Sequence, residues 1–516
     1  MPTDRTRSQD DIISFMMTPG SLGDGAAPEV INTHCAMIFL TKDTAYKIKR
    51  AVKYDYLDFS TTDLRRKMLQ RELSLNKPGA PTIYRDVMPI TLARDGVLAL
   101  DGSGKPVEWV LRMARFPAAD ELSQVAERGE LGEDLAMQMG QSIARYHERC
   151  EPRSADGTAL ILAIIEELED AFAQTATELG SDRVEAFSSA CRTQFHVTRN
   201  LMQRRAEGGR VRRCHGDLHM RNIVLIAGVP TPFDALEFDE DLGTCDTLYD
   251  LAFLLMDLMH RDLMNQANVV LNAYRQALPD FDHAGLRLLP LFLGLRAAIR
   301  AMVSIQSRPF NRADGTLRAD AVAYLDQAIR YLDPPPPRVI AIGGLSGTGK
   351  TTIARAIAHK TGAAPGAIHL RSDVERKQMF GVDPLTRLPP DAYQSEVSAK
   401  VYDSLRAKAA DILAASHGVI IDAVHLTTAE RRASEAVAKA AGCTFTGLWL
   451  EGDVRLLMDR VNARRGDASD ADAAVVQTMS TTNVGAVEWN RIDCSGTVPD
   501  TVSRICTILD PSATSG

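Results

Sequence analysis

Residues 344–351 read Gly-Leu-Ser-Gly-Thr-Gly-Lys-Thr, preceded by the short apolar run 338–342 and followed by a helical stretch over 352–360. The pattern G-x-x-x-x-G-K-[ST] works only as a turn between a strand and a helix. There its backbone N–H groups wrap an anionic phosphate, the lysine neutralises β/γ oxygens and the Ser/Thr hydroxyl reaches Mg²⁺. Gly344, Ser346, Gly347, Thr348, Gly349, Lys350, Thr351 and Thr352 are therefore candidate nucleotide contacts, with Lys350 a catalytic candidate and Thr351 a metal ligand. Apolar strands near 338–342, 367–370, 418–421 and 445–450 alternate with helical stretches, the pattern of a parallel α/β sheet.

Four consecutive prolines, Pro334–Pro337, stop helix and central strand alike. They divide the chain into 1–333, a linker 334–337, and 338–516. The first part reads differently from the second. Residues 34–54 suggest two strands around a turn at Lys42-Asp43, then a polar helix and further strands to Met113, and helical periodicity dominates 120–205 and 247–332. The expected fold is an α+β part with a small sheet lobe and a larger helical lobe, followed by an α/β P-loop domain.

Beyond the P-loop, Val419-Ile-Ile-Asp422 ends an apolar strand in a carboxylate suited to the Mg²⁺ shell. Asp373 and Arg376, three apart in a first helical turn, place a base for a hydroxyl proton beside a cation for an anionic substrate group. Arg460, Arg464 and Arg465 precede a polar Gly466–Asp470 segment suited to a lid whose arginines reach phosphates. These residues resemble the P-loop small-kinase branch of gluconate kinase, chloramphenicol phosphotransferase, zeta toxin and polynucleotide 5′-kinase. That resemblance implies Asp373 as general base and Arg376 as a substrate-phosphate contact.

In the first part, His215-Gly-Asp217-Leu-His-Met-Arg-Asn222 has the spacing H-x-D-x-x-x-x-N, in which the Asp deprotonates an acceptor hydroxyl and the Asn holds Mg²⁺. Asp234, twelve residues on, stands where a second metal ligand belongs. Eight acids and one base between 217 and 250 repel one another unless a cation is bound or the side chains splay into water, and Asp239, Glu240 and Asp241 read as solvated loop. Of only thirteen lysines, Lys42, Lys47, Lys49 and Lys53 lie in the strand-turn-strand region, and alternation puts Lys47 and Lys49 on one face. Lys47, two after the small Ala45, is chosen as the phosphate lysine, with Lys49 the alternative and Glu72 the helix partner.

This set resembles the aminoglycoside phosphotransferase and choline kinase families, protein-kinase-like enzymes that phosphorylate hydroxyls of small molecules, and the resemblance implies an α+β protein-kinase-like N-terminal domain. The resemblance implies that Asp250 supports the catalytic loop. No G-x-G-x-x-G precedes the first strands, so Asn32, Thr33 and His34 are assigned to cover the phosphates. The whole arrangement resembles bacterial fusions of an aminoglycoside phosphotransferase-like domain with a P-loop ATP-binding domain.

A formal charge of −8 argues against a generic nucleic-acid coat, although Arg204, Arg205, Arg210, Arg212 and Arg213 keep nucleic acid open as a partner. Hydrophobic residues at 45% exclude wholesale disorder. The eight cysteines show no metal-ligand spacing and read as reduced thiols. The polar beginning, with Asp4, Arg5 and Arg7, and apolar runs as short as 288–295 suggest a cytoplasmic chain without a membrane segment. The expectation is a bifunctional phosphotransferase with two Mg·ATP sites, GTP at one site being left open, acting on small-molecule hydroxyls. Two alternatives remain: a C-terminal half that only binds or hydrolyses nucleotide to regulate the first, and a polynucleotide- or nucleoside-type kinase in that half.

Overall fold

The computed structural model describes residues 8–54, 57–306 and 315–509; Asp4, Arg5 and Arg7 lie outside them. The chain forms two compact units, one of Met1–Ala155 with Gly209–Leu251 and one of Asp156–Gly208 with Ala252–Gly516.

In the first unit six antiparallel strands are ordered Glu29–Asn32, Ala36–Leu40, Thr44–Lys49, Lys105–Ala114, Tyr84–Leu92 and Leu98–Leu100. The strand Thr44–Lys49 is buried from Ala45 onward because both its faces are covered. Tyr46 and Ile48 join Ile12 and Met16 of the helix Gln9–Met17 in one cluster, whereas Ala45 packs with Leu69 of the helix Thr62–Asn76, Leu111 and Tyr84 in another. Each fully buried aliphatic side chain contributes about 1.5–3 kcal/mol. Lys47 and Lys49 share the Ala45 face and are thereby carried toward the helix Thr62–Asn76, whose start is capped by the Thr61 hydroxyl accepting from Leu64 N–H. The hairpin Ile223–Ile226/Val229–Pro232 and the ladder of Val211–Arg213 with Thr244–Asp246 complete the unit.

The second unit contains the helices Gly157–Leu179, Ser181–Glu207, Met264–Ala277, Leu289–Gln306 and Gly315–Leu332, together with a five-stranded parallel sheet. Its strands are ordered Ile368–Arg371, Val419–Asp422, Arg338–Gly344, Thr444–Glu451, Asn490–Asp493, which is 2-3-1-4-5 in chain order. Ile340, Ile342, Ile353, Ile357, Ile420, Leu448 and Leu450 fill its core. The edge strand Asn490–Asp493 gave no sequence signal because only Ile492 of its four residues is buried. His283–Gln306 is long and apolar enough to cross a membrane by composition, a longer stretch than the run 288–295 suggested, yet 78% of its apolar window is buried inside the protein. That burial is the mark of a core helix.

The fold is thus an α+β N-terminal part followed by an α/β P-loop domain. Pro334–Pro337 carry neither helix nor strand between Leu332 and Arg338. The compact units nevertheless divide elsewhere: the helices of 252–332 pack in the same unit as the parallel sheet.

Candidate active sites

Glu72, fully buried in the helix Thr62–Asn76, receives two lysines: Lys47 Nζ stands 2.7 Å from Oε1 and Lys49 Nζ 2.6 Å from Oε2. Lys47 also reaches Asp234 Oδ1 at 2.7 Å, and Lys49 reaches Glu237 Oε1 at 2.5 Å. The five side chains alternate in sign, Asp234–Lys47–Glu72–Lys49–Glu237. Burial opposes the charge of Lys47, but Asp234 and Glu72 outweigh it and lift its pKa well above the usual value. Burial likewise works against ionised Asp234, and Lys47 overrides it to hold that carboxyl below its ordinary range. Asp234 has a left-handed φ of 61°, with its N–H bonded to Tyr84 Oη at 2.9 Å and the next N–H, of Ala235, to Asn76 Oδ1 at 2.8 Å. Tyr84 and Asn76 fix this turn, and neither was legible from the motif.

The loop carrying Asp217 is held from beneath by Asp250, which is fully buried and accepts the N–H groups of His215 at 3.1 Å and Gly216 at 2.8 Å, with the His147 ring at 3.1 Å. Gly216 has φ +83°, a left-handed conformation that strains any residue with a Cβ, and a Cβ there would also crowd Leu242 O at 3.2 Å. The His215 ring bonds Phe233 O at 2.8 Å, and its burial pushes its pKa down. Asn222 Nδ2 donates to Asp217 O at 2.9 Å and Asp217 Oδ2 at 3.0 Å, which brings the two motif residues together; the His219 ring lies 3.4 Å from the same Asp217 oxygen. Thr33 closes the turn before Ala36, its hydroxyl accepting from Ala36 N–H at 2.9 Å.

Two charged groups depart from the sequence expectation. Glu240, read as solvated loop, lies in a short helix capped by Asp239 and meets Arg71, Arg153 and Arg213 while its side chain stays 42% exposed. Members of the arginine cluster are engaged internally: Arg205 pairs with Asp282 at 2.7 Å, Arg212 donates to the carbonyls of His147, Glu148 and Cys150, and Arg213 to those of Cys214 and Leu236.

In the second unit the P-loop leaves the strand Arg338–Gly344 and enters the helix Lys350–Ala358. At Gly347, φ +87°, a Cβ would lie 2.5 Å from Leu457 O, so the loop approaches the helix Val454–Ala463 backbone to backbone. Lys350 Nζ donates to Gly344 O and Leu345 O, both at 2.9 Å, and burial lowers its pKa. Thr348 Oγ1 donates to Leu345 O at 2.8 Å, Ser346 Oγ lies 3.9 Å from Met479 Sδ, and Thr352 is exposed. Thr351 Oγ1 donates to Asp422 Oδ2 at 2.6 Å, so the two expected metal ligands meet.

Asp422 has a neighbour that sequence reasoning missed. His369 Nε2 lies 3.1 Å from the same Oδ2, and Arg371 Nε 3.7 Å away. Burial alone would raise the Asp422 pKa, but His369 and these cations hold it far below the usual range. Asp373 is half-buried; burial pushes its carboxyl up, with Arg371 and Lys350 pulling the other way. Arg376 is buried, donating to Ala392 O at 2.5 Å and Ser398 Oγ at 3.3 Å and stacking on Tyr393. Its guanidinium is thus engaged by the chain itself. Arg460 donates to Cys494 O at 3.0 Å, while Arg464 holds Ser469 O at 3.1 Å and Ala471 O at 2.9 Å, bracing the 466–472 segment from within.

Residues 339–483 match the family model described as AAA domain. Over 479 residues the chain is 27% identical to the uncharacterized proteins Rv2004c of Mycobacterium tuberculosis and Mb2027c of Mycobacterium bovis, covering 91% of this chain and 92% of each relative. Among solved structures it is similar to choline kinase LicA from Streptococcus pneumoniae, with 13% identity, TM-score 0.38, and coverage of 62% of this chain and 98% of that one. It is also similar to a gluconokinase from Sinorhizobium meliloti, with 21% identity, TM-score 0.23, and coverage of 34% and 95%. The span matched by the AAA model holds the P-loop and the strands Ile368–Arg371, Val419–Asp422 and Thr444–Glu451, whereas the mycobacterial relatives match over nearly the whole chain.

Proposed function

We propose that this protein is a bifunctional, cytoplasmic phosphotransferase that uses Mg·ATP at two sites to phosphorylate hydroxyl groups of small molecules. The observation that carries the reading is that each unit holds the same three kinds of group: a lysine already bonded to polar partners at the candidate phosphate site, side chains with oxygens suited to Mg²⁺, and a further carboxylate suited to a base. They are Lys47, Asn222 with Asp234, and Asp217 in the first; Lys350, Thr351 with Asp422, and Asp373 in the second. All four metal-site residues offer hard oxygen donors, the ligand class that suits Mg²⁺. Mg²⁺, when held by these residues, would supply positive charge to offset that of the phosphates.

The chain's own residues do the rest. Lys47, held by Glu72, presents an ammonium to nucleotide phosphates, and Thr33 in the preceding hairpin turn covers them. Asp217, braced through its loop by Asp250 and Asn222, orients an acceptor hydroxyl and takes its proton. In the P-loop half the loop from Gly344 to Thr352 binds phosphates, Lys350 exchanges its carbonyl partners for phosphate oxygens, Arg460 and Arg464 act in a closing lid, and Asp373 takes the proton. The proline run serves as the covalent joint between residues 1–333 and 338–516. Phosphorylated products from a cell extract, compared among wild type, Asp217→Asn and Asp373→Asn, test this. Each variant losing its own product supports two activities, and two variants matching wild type would overturn both.

A second reading, in which the P-loop half binds or hydrolyses nucleotide without an acceptor, is favoured by the internal engagement of Arg376. It predicts that Asp373→Asn removes no product while nucleotide binding persists.

A further inference from the structure

The strand Ile368–Arg371 lies at the edge of the parallel sheet, and among the described residues Val419–Asp422 is the one strand it pairs with. In a parallel ladder successive residues turn their backbone groups to opposite sides, so Ile368 bonds inward, its N–H to Gly418 O at 2.9 Å, while Ala367 C=O and His369 N–H face outward. Buried outward-facing groups need partners. Asn272 supplies both with one side-chain amide: Oδ1 accepts His369 N–H at 2.8 Å and Nδ2 donates to Ala367 O at 3.3 Å. Asn268, one turn earlier on the helix Met264–Ala277, donates to Ala367 O at 3.0 Å. The two asparagines stand in for the missing neighbouring strand.

The residue they fix is the one whose ring touches the candidate metal carboxylate. His369 Nε2 and Thr351 Oγ1 converge on Asp422 Oδ2, at 3.1 and 2.6 Å, and a buried imidazole donating to that oxygen sets the direction in which the carboxylate points. A contact chain therefore runs from a helix before the proline run to the metal site after it: Asn272, His369, Asp422, Thr351.

We propose that His369 and Asn272 are positioning residues for the Mg²⁺ site of the P-loop, His369 orienting Asp422 and Asn272 orienting His369. The inference rests on the reading of Asp422 and Thr351 as the metal site. The fusion is then functional at the level of atoms, because the first part of the chain supplies a support that the parallel sheet lacks at this edge.

The test measures nucleotide affinity of the full chain by calorimetry with Mg²⁺ and with EDTA, in a Lys47→Met background that silences the other site. His369→Phe, which keeps ring volume and removes the donor, is expected to cut the Mg²⁺-dependent gain in ADP affinity about tenfold while leaving metal-free affinity unchanged. His369→Gln, which keeps a donor, restores most of it, and Asn272→Ala shifts it in the same direction as His369→Phe. A merely structural role would lower both affinities together or neither. Asp422→Asn separates the failures. If it leaves the Mg²⁺ gain intact, the metal-site reading falls; if it abolishes the gain while His369→Phe and Asn272→Ala keep it, the positioning proposal alone is overturned.

Discussion

Lys49 Nζ stands 2.6 Å from Glu72 Oε2, the carboxylate oxygen that Lys47 leaves unused. When Lys47 turns toward a phosphate, Glu72 keeps a cation, so the buried acid is never left alone. Lys49→Met removes that cation and leaves Glu237 unpaired as well; breaking a buried pair in this way costs about 3–5 kcal/mol. The expected outcome is a large drop in the denaturant midpoint of the first unit. Lys47→Met should instead abolish phosphotransfer at that site, and equal stability losses for the two variants would contradict the division of labour.

Asp217 shares Asn222 with the loop and lies where a proton acceptor belongs. Asp217→Asn is expected to lower first-site turnover by about 10²–10⁴-fold, the usual contribution of a positioned base, while sparing nucleotide affinity. Asn222→Ala and Asp234→Ala should impair Mg²⁺-dependent binding instead. Turnover measured with Lys350 already replaced distinguishes them, and near-normal rates for Asp217→Asn would remove the assignment.

Lys350 is bonded to the carbonyls of its own loop, which an arriving phosphate would displace. Lys350→Ala should weaken ATP binding at the P-loop at least tenfold, about 1.4 kcal/mol, read by calorimetry on the full chain. Unchanged affinity would sink this site.

Because Asn268 and Asn272 bond the edge strand Ile368–Arg371 across the proline run, cutting the chain there should not release the halves. A protease site placed at Pro334–Pro337 and cleaved under native conditions is expected to yield two fragments that co-elute in size exclusion. Separate elution would show that these contacts are too weak to join them.

Burial lowers the pKa of His417 and of His425 from 6.5 to about 4, so both remain neutral in the fold below the pH at which the unfolded chain protonates them. Between 6.5 and about 4 the unfolded state binds the extra protons, so stability falls as pH falls through this window. Urea midpoints measured from pH 7 to pH 4 should decline. The slope should flatten in His417→Gln, whose amide can still donate to Gly366 O, the 2.8 Å partner of the His417 ring. An unaltered slope would contradict the assignment.

The local geometry of the motifs was legible because it is written in short intervals. Gly344 to Thr351, Asp217 to Asn222 and the apolar strands each depend on residues within a few positions of one another, where backbone geometry alone fixes what faces what. Lys47 and Glu72 were also within reach, since strand alternation limits the choice of lysine to two. What sequence left open was settled by contacts distant in the chain: Lys49 with Glu237, Tyr84 with Asp234 N–H, Glu240 with its arginines, and Asn272 with the strand before Asp373. Arg376 shows the limit from the other side, for a long side chain at a motif position reached Ala392 and Ser398. Local spacing determines which groups a turn or strand presents, whereas the partner of a buried charge or an outward-facing backbone group is chosen by whichever distant element packing brings against it.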